Sequence, residues 1–142
     1  DATAQQALER ICAHLTPDGV AWIPLFVPEP LAADEVGMVR TATDEQGDEI
    51  NVAFLSQERD QQARTQRTLL RYTRRRPDSV ETVDRPWELH WYTREGFSSL
   101  AASAGLTVEA VLDDDGHPAA ESVTDLTYVL STSERDPGPS PG

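Results

Sequence analysis

Ala7-Leu-Glu-Arg-Ile-Cys-Ala-His-Leu-Thr-Pro-Asp-Gly-Val-Ala-Trp-Ile-Pro-Leu-Phe26 carries the reading that decides the fold. Its first part is helical. Ala4, Ala7, Leu8, Ile11, Cys12 and Leu15 recur at helical spacing and make one apolar stripe. Thr16-Pro17-Asp18-Gly19 then stops the helix and turns the chain. Val20 to Val27 follows as an unbroken apolar run bounded by turn signals, the pattern of a strand buried on both faces in a parallel sheet. Pro24 cannot donate to a ladder, so one edge of this strand is expected to be free or bulged there.

Outward from this unit, Pro28 to Asp48 is rich in Pro, Asp, Glu and Gly and reads as a long loop. Three strand candidates follow. Ile50, Val52 and Phe54 alternate with polar or small residues. Thr68, Leu70 and Tyr72 oppose Arg67, Leu69 and Arg71. Trp87, Leu89 and Trp91 oppose Glu88, His90 and Tyr92. Period-two alternation with aromatics predicts an antiparallel sheet with one wet face, turning at Arg75 to Ser79. A second helix is expected next. Thr93 caps it, Glu95 suits its first turn, and Phe97, Leu100, Ala101 and Ala104 form its buried stripe. Gly105 stands where a left-handed residue ends helices. Leu106 to Leu112 and Asp125 to Leu130 read as strands, with a polar turn at Asp113 to Pro118. Residues 131–142, rich in Pro and Gly, read as a disordered tail.

Two blocks carry a resemblance. One is the helix-turn-strand with Leu15-x-Pro17-x-Gly19. The other is Trp91-Tyr92-Thr93-x-Glu95-x-Phe97-x-x-Leu100-x-x-x-Ala104-Gly105-Leu106-x-Val108. In order and spacing they resemble the C-terminal half of class I S-adenosylmethionine-dependent methyltransferases, from about Ala4 to Leu130. Asp18 departs from the family turn, which has glycine there. The resemblance implies an α/β fold: part of a Rossmann-like sheet, its strands equivalent to the family's fifth, seventh and sixth, with residues 50–92 as an antiparallel insertion on the substrate side. It implies S-adenosylmethionine as the cofactor of the complete enzyme and a small-molecule substrate. The family's glycine-rich cofactor loop has no counterpart, because none of the eight glycines makes a G-x-G. No cofactor-binding residue is therefore expected in this chain, which alone is expected to be inactive. Residues 20–27 are expected to be a raw sheet edge, open to self-association or to a partner chain.

Composition narrows the function further. The net charge of −13 opposes nonspecific binding to nucleic acid or anionic membranes. All twelve basic residues are arginine, so lysine chemistry is excluded. The longest apolar run is eight residues, too short to cross a bilayer. One cysteine, Cys12, rules out an internal disulfide framework, and no signal peptide is visible at Asp1; a cytoplasmic protein is the plain expectation.

His90 heads the candidate site. Near a substrate entrance it could take a proton from a hydroxyl or amine, its ordinary pKa suiting neutral pH. Phe26, Tyr72, Trp91 and Tyr92 are the candidate substrate-binding residues, with Arg71 placed in the same cluster. The plainer reading puts His90 on a wet strand face, paired with Glu88 or an arginine. The seven arginines from Arg59 to Arg76 could bind phosphate. Cross-strand ion pairs with Glu81, Asp84 and Glu88 explain them more simply. Asp113-Asp114-Asp115-Gly116 lacks calcium-loop spacing, and Cys12, His14 and His117 lack zinc spacing, so no metal is expected. From another class comes the alternative of a non-catalytic module that binds or dimerises through its aromatic antiparallel sheet.

Overall fold

The computed structural model describes residues 2–133. In chain order the elements are α1 (Ala2–His14), β1 (Ala21–Phe26), β2 (Val39–Thr43), β3 (Glu49–Asp60), β4 (Thr65–Arg76), β5 (Ser79–His90), α2 (Arg94–Ser103), β6 (Leu106–Leu112) and β7 (Asp125–Thr132). They form two compact units: one from the segments up to Val27 and from Tyr92 onward, the other from Pro28–Trp91.

The first unit holds a three-stranded sheet in the order β1-β7-β6, with β7 antiparallel to both neighbours. The register puts Ala21, Ile23 and Leu25 opposite Leu130, Tyr128 and Leu126, all on one face. That face meets the apolar stripes of the helices, and Leu8, Phe97, Ala101, Ala104, Leu106, Tyr128 and Leu130 close into the core. Phe97 is its centre: its ring lies 4.4 Å from that of Tyr128 and 5.8 Å, edge-on, from that of Tyr92. Thr93 caps α2 as expected, its Oγ1 accepting the Gly96 N–H at 3.0 Å. Gly105 ends the helix with φ +80°, and a Cβ there would meet Cys12 Sγ at 3.4 Å.

β1 departs from the expected doubly buried parallel strand. It pairs antiparallel with β7, and burial alternates along it, leaving Trp22 62% and Phe26 50% exposed. An apolar run does not encode the direction of its neighbour or whether its second face is covered. The proline expectation holds: Pro24 lies on a strand that, among the described residues, is paired on one side only. β7 also runs past the expected start of the tail. Ser131 is buried and its hydroxyl bonds the carboxylate of Glu109, so residues 131 and 132 belong to the sheet. Residues 134–142, the rest of the expected tail, lie outside the described residues.

The second unit is a four-stranded antiparallel sheet in the order β2-β3-β4-β5. β3, β4 and β5 are long because alternation continues through both hairpins, broken by one bulge between Phe54 and Ser56. The expected loop before residue 49 contains β2. All five of its residues are exposed, so it has no apolar face to betray it in sequence. The Asp44–Asp48 turn joins β2 to β3 and is braced by arginines of β4. Arg74 donates to Asp48 Oδ2 and Asp44 Oδ2, each at 2.7 Å, and Arg76 donates to Asp48 Oδ2 at 3.1 Å.

The two faces of this sheet differ as expected. One is wet and laced with cross-strand pairs: Arg67–Glu88 at 3.3 Å, Arg71–Asp84 at 2.8 Å in a bidentate fork, and Arg75–Glu49 at 3.4 Å. These are exposed contacts in water and add little stability. On the other face Gln66, Thr68 and Leu70 are buried, whereas Tyr72, Val83 and Trp87 stand 41–53% exposed.

Candidate functional site

Alternation alone decides what stands beside His90. β4–β5 pairing sets His90 opposite Thr65, and β3–β4 pairing sets Thr65 opposite Asp60. The next row on that face is Glu58, Arg67 and Glu88. These two rows, with Arg59, Gln66 and Leu89, line a cleft of about 510 Å³ at the end of the sheet.

Beneath the cleft the chain is tied down by Arg59. Its guanidinium sits 4.3 Å from the Trp91 ring centroid, and Nη1 donates to Pro28 O at 2.6 Å and to Gln66 Oε1. A stacked, hydrogen-bonded arginine of this kind holds an aromatic plane in place. The β3–β4 turn brings up a second arginine. Arg64 takes φ +54°, a left-handed conformation uncommon outside glycine, and its carbonyl accepts the Trp91 N–H at 3.1 Å. Its Nε is buried without a hydrogen-bond partner among the described residues.

Partial burial, and then the positive charge of Arg64, push the His90 imidazole below its ordinary value. His90 is thus held neutral and able to accept a proton. The sign for stability follows. The unfolded chain protonates this histidine first, so its contribution to folding is complete above the ordinary histidine value of 6.5 and is lost as pH falls below it. Wild-type protein is expected to lose more stability between pH 7.5 and 5.5 than a His90→Asn variant does. Parallel urea titrations at the two pH values check this; identical losses would contradict it.

The candidate residues are distributed as follows. Tyr72 stands opposite Val83, on the sheet face away from His90. Arg71 pairs with Asp84 rather than lying across from His90. Trp91 is 4% exposed, held under Arg59. Phe26 and Tyr92 belong to the other unit. Phe26 is exposed at the end of β1, and Tyr92 packs on Phe97, burial raising its phenol above the ordinary range. Sequence reading missed Asp60, Thr65 and Arg64 beside His90. The hairpin register that aligns them could have been counted back from the turn at Pro77-Asp78. Asp113, Asp115 and His117 bring ligand atoms within 4.8 Å of one another. The carboxylate of Asp113 is already used, accepting the N–H groups of Asp115 and His117 at 3.0 and 2.9 Å as the turn expected there.

No protein-family model and no curated protein matches the chain. Solved structures do. The sugar N-methyltransferase KedS8 from Streptoalloteichus is 20% identical with a TM-score of 0.64, over 92% of this chain and 49% of that one. CalS10, an amino pentose methyltransferase from Micromonospora echinaspora solved with S-adenosylmethionine bound, is 22% identical with a TM-score of 0.59, over 90% and 50%. An S-adenosylmethionine-dependent methyltransferase from Clostridium acetobutylicum is 14% identical with a TM-score of 0.62, over 90% and 50%. At these identities the likeness is one of fold alone: this chain has the fold of part of these S-adenosylmethionine-dependent methyltransferase structures, and spans about half the length of each.

Proposed function

We propose that the chain is the substrate-side, C-terminal portion of a methyltransferase that acts on a small molecule. One observation carries this: methyltransferase structures cover nine-tenths of this chain but only about half of their own length. The sheet order supports the same placement. β1, β7 and β6 correspond to the family's fifth, seventh and sixth strands, the seventh running antiparallel between the others. The unpaired side of β1 is then where the fourth strand belongs, supplied by another segment or another chain.

The described residues do not fit S-adenosylmethionine. A cofactor of this kind rests against glycine backbone at a helix N-terminus. At the start of α2 the Gly96 amide is taken by Thr93, and a Cβ on Gly96 would meet only that cap oxygen, at 2.9 Å. The left-handed glycines Gly37, Gly47, Gly105 and Gly116 lie in turns or at a helix C-terminus. Cofactor binding therefore belongs to the half of the fold that lies elsewhere.

In this reading His90 is the candidate base. It accepts a proton from the substrate hydroxyl or amine at an imidazole kept neutral by its surroundings. Of the substrate-binding candidates, Tyr72 stands on the opposite sheet face and Trp91 is buried under Arg59, while Phe26 and Tyr92 belong to the other unit, so the reading rests on His90. Two of the similar structures are named for sugar or amino pentose methylation, so an amino sugar is the first acceptor to try. The test is a chimera joining the N-terminal half of CalS10 to residues 2–133. A folded chimera that binds S-adenosylhomocysteine supports the reading; a folded chimera that does not bind it overturns the reading. The alternative of a non-catalytic binding or dimerisation module is favoured by one feature, the exposed aromatic face bearing Tyr72 and Trp87.

A further inference from the structure

We infer that Arg64 holds an oxyanion, the carboxylate or phosphate of a small molecule seated beside His90. The inference stands whether or not the chain serves methyl transfer. The turn from β3 to β4 closes on the Asp60 carboxylate, which accepts the Ala63 N–H at 2.8 Å. It then needs one left-handed residue, and Arg64 takes that place at φ +54°. Glycine and asparagine fill such a corner most easily. The corner is fixed, because the Arg64 carbonyl accepts the N–H of buried Trp91 at 3.1 Å. Any residue could supply that carbonyl, so the backbone does not call for an arginine. Strain held in place by its surroundings collects at ligand sites.

Nor does the guanidinium serve the fold. Arg59, Arg67, Arg71, Arg74, Arg75 and Arg76 each have a carboxylate, amide or carbonyl partner. The Arg64 side chain donates no hydrogen bond and makes no ion pair among the described residues, and its Nε is shut away from water. A buried donor without an acceptor is costly, and a ligand oxygen would remove that cost. Carboxylates abound in a chain of net charge −13, yet those at hand are engaged: Asp60 in the turn, and Glu88 with Arg67 at 3.3 Å.

The chemistry beside Arg64 suits an anion. A guanidinium offers a planar fork of donors that matches a carboxylate or a phosphate. His90 is held neutral by partial burial and then by the Arg64 charge, and a neutral imidazole still has one N–H to donate. The cleft of about 510 Å³ that His90 lines gives the ligand room. An anion on Arg64 would offset the positive charge felt at His90 and make the imidazole more basic. Oxyanion binding and His90 basicity are therefore coupled.

Imidazole titrations followed by NMR on residues 1–142, in phosphate, acetate and chloride at equal ionic strength, test this. His90 should titrate at a higher pH in phosphate or in acetate than in chloride, and the more effective of the two identifies the group. His14 and His117 serve as controls. Arg64→Gly and Arg64→Asn both suit the left-handed turn and remove the guanidinium. In either variant His90 should titrate higher in chloride, and the concentration of oxyanion needed for its response should rise at least about tenfold. Urea midpoints of both variants should equal or exceed that of the wild type. Should one variant misfold by circular dichroism, the other decides. A wild-type His90 that responds to neither oxyanion, or a variant that responds as the wild type does, overturns the inference. Lower urea midpoints in both variants would put Arg64 in the service of the fold and overturn it as well.

Discussion

Phe97→Ala is expected to destabilise the first unit by about 3–5 kcal/mol, the usual loss for a buried aromatic cut to alanine. Phe97 is 3% exposed, sits between Tyr92 and Tyr128, and is the point where α2 meets the sheet. Removing its ring leaves a cavity between the rings of Tyr92 and Tyr128. The backbone there is fixed by the Thr93 cap and by paired strands, so collapse into the gap is limited. Residue-resolved hydrogen exchange, with a urea midpoint, reads the effect: faster exchange at β7 and α2 with the full loss. A loss below about 1 kcal/mol would mean that the core is not centred on this ring.

Asp48→Ala is expected to cost about 2–3 kcal/mol in the second unit. Asp48 is 8% exposed, and one of its oxygens receives both Arg74 and Arg76. Removing it leaves two half-buried guanidinium groups with one carboxylate fewer between them. Breaking a fully buried pair would cost more, but both arginines are about a third exposed, and water recovers part of the loss. Arg71→Ala serves as the contrast, since its fork with Asp84 lies on the open face and its removal should scarcely shift the midpoint. Equal effects at the two sites would contradict this ranking.

Much of the fold was legible because periodicity was strong where burial was one-sided. The stripe of Leu8, Ile11 and Leu15, the Thr93 cap and the left-handed Gly105 mark α1 and α2. The arginine ladder and its acidic partners followed from period-two spacing, and the structure pairs Arg67 with Glu88, Arg71 with Asp84 and Arg76 with Glu81. β2 was hidden because an edge strand exposed at every position needs no pattern. The antiparallel pairing of β1 was hidden because apolar composition carries no strand direction. At the candidate site, His90 stood out by residue type, but its neighbours did not. Arg64 adopts its left-handed turn without a glycine to announce it, and the stack of Arg59 on Trp91 joins residues 32 apart in sequence.

The central claim is that this chain is the portion of a methyltransferase fold that does not hold the cofactor. Isothermal titration of S-adenosylhomocysteine into folded residues 1–142 tests it most directly. No binding heat is expected at micromolar ligand, because among the described residues no glycine backbone at a helix N-terminus is free to receive it. A saturable micromolar isotherm would contradict it.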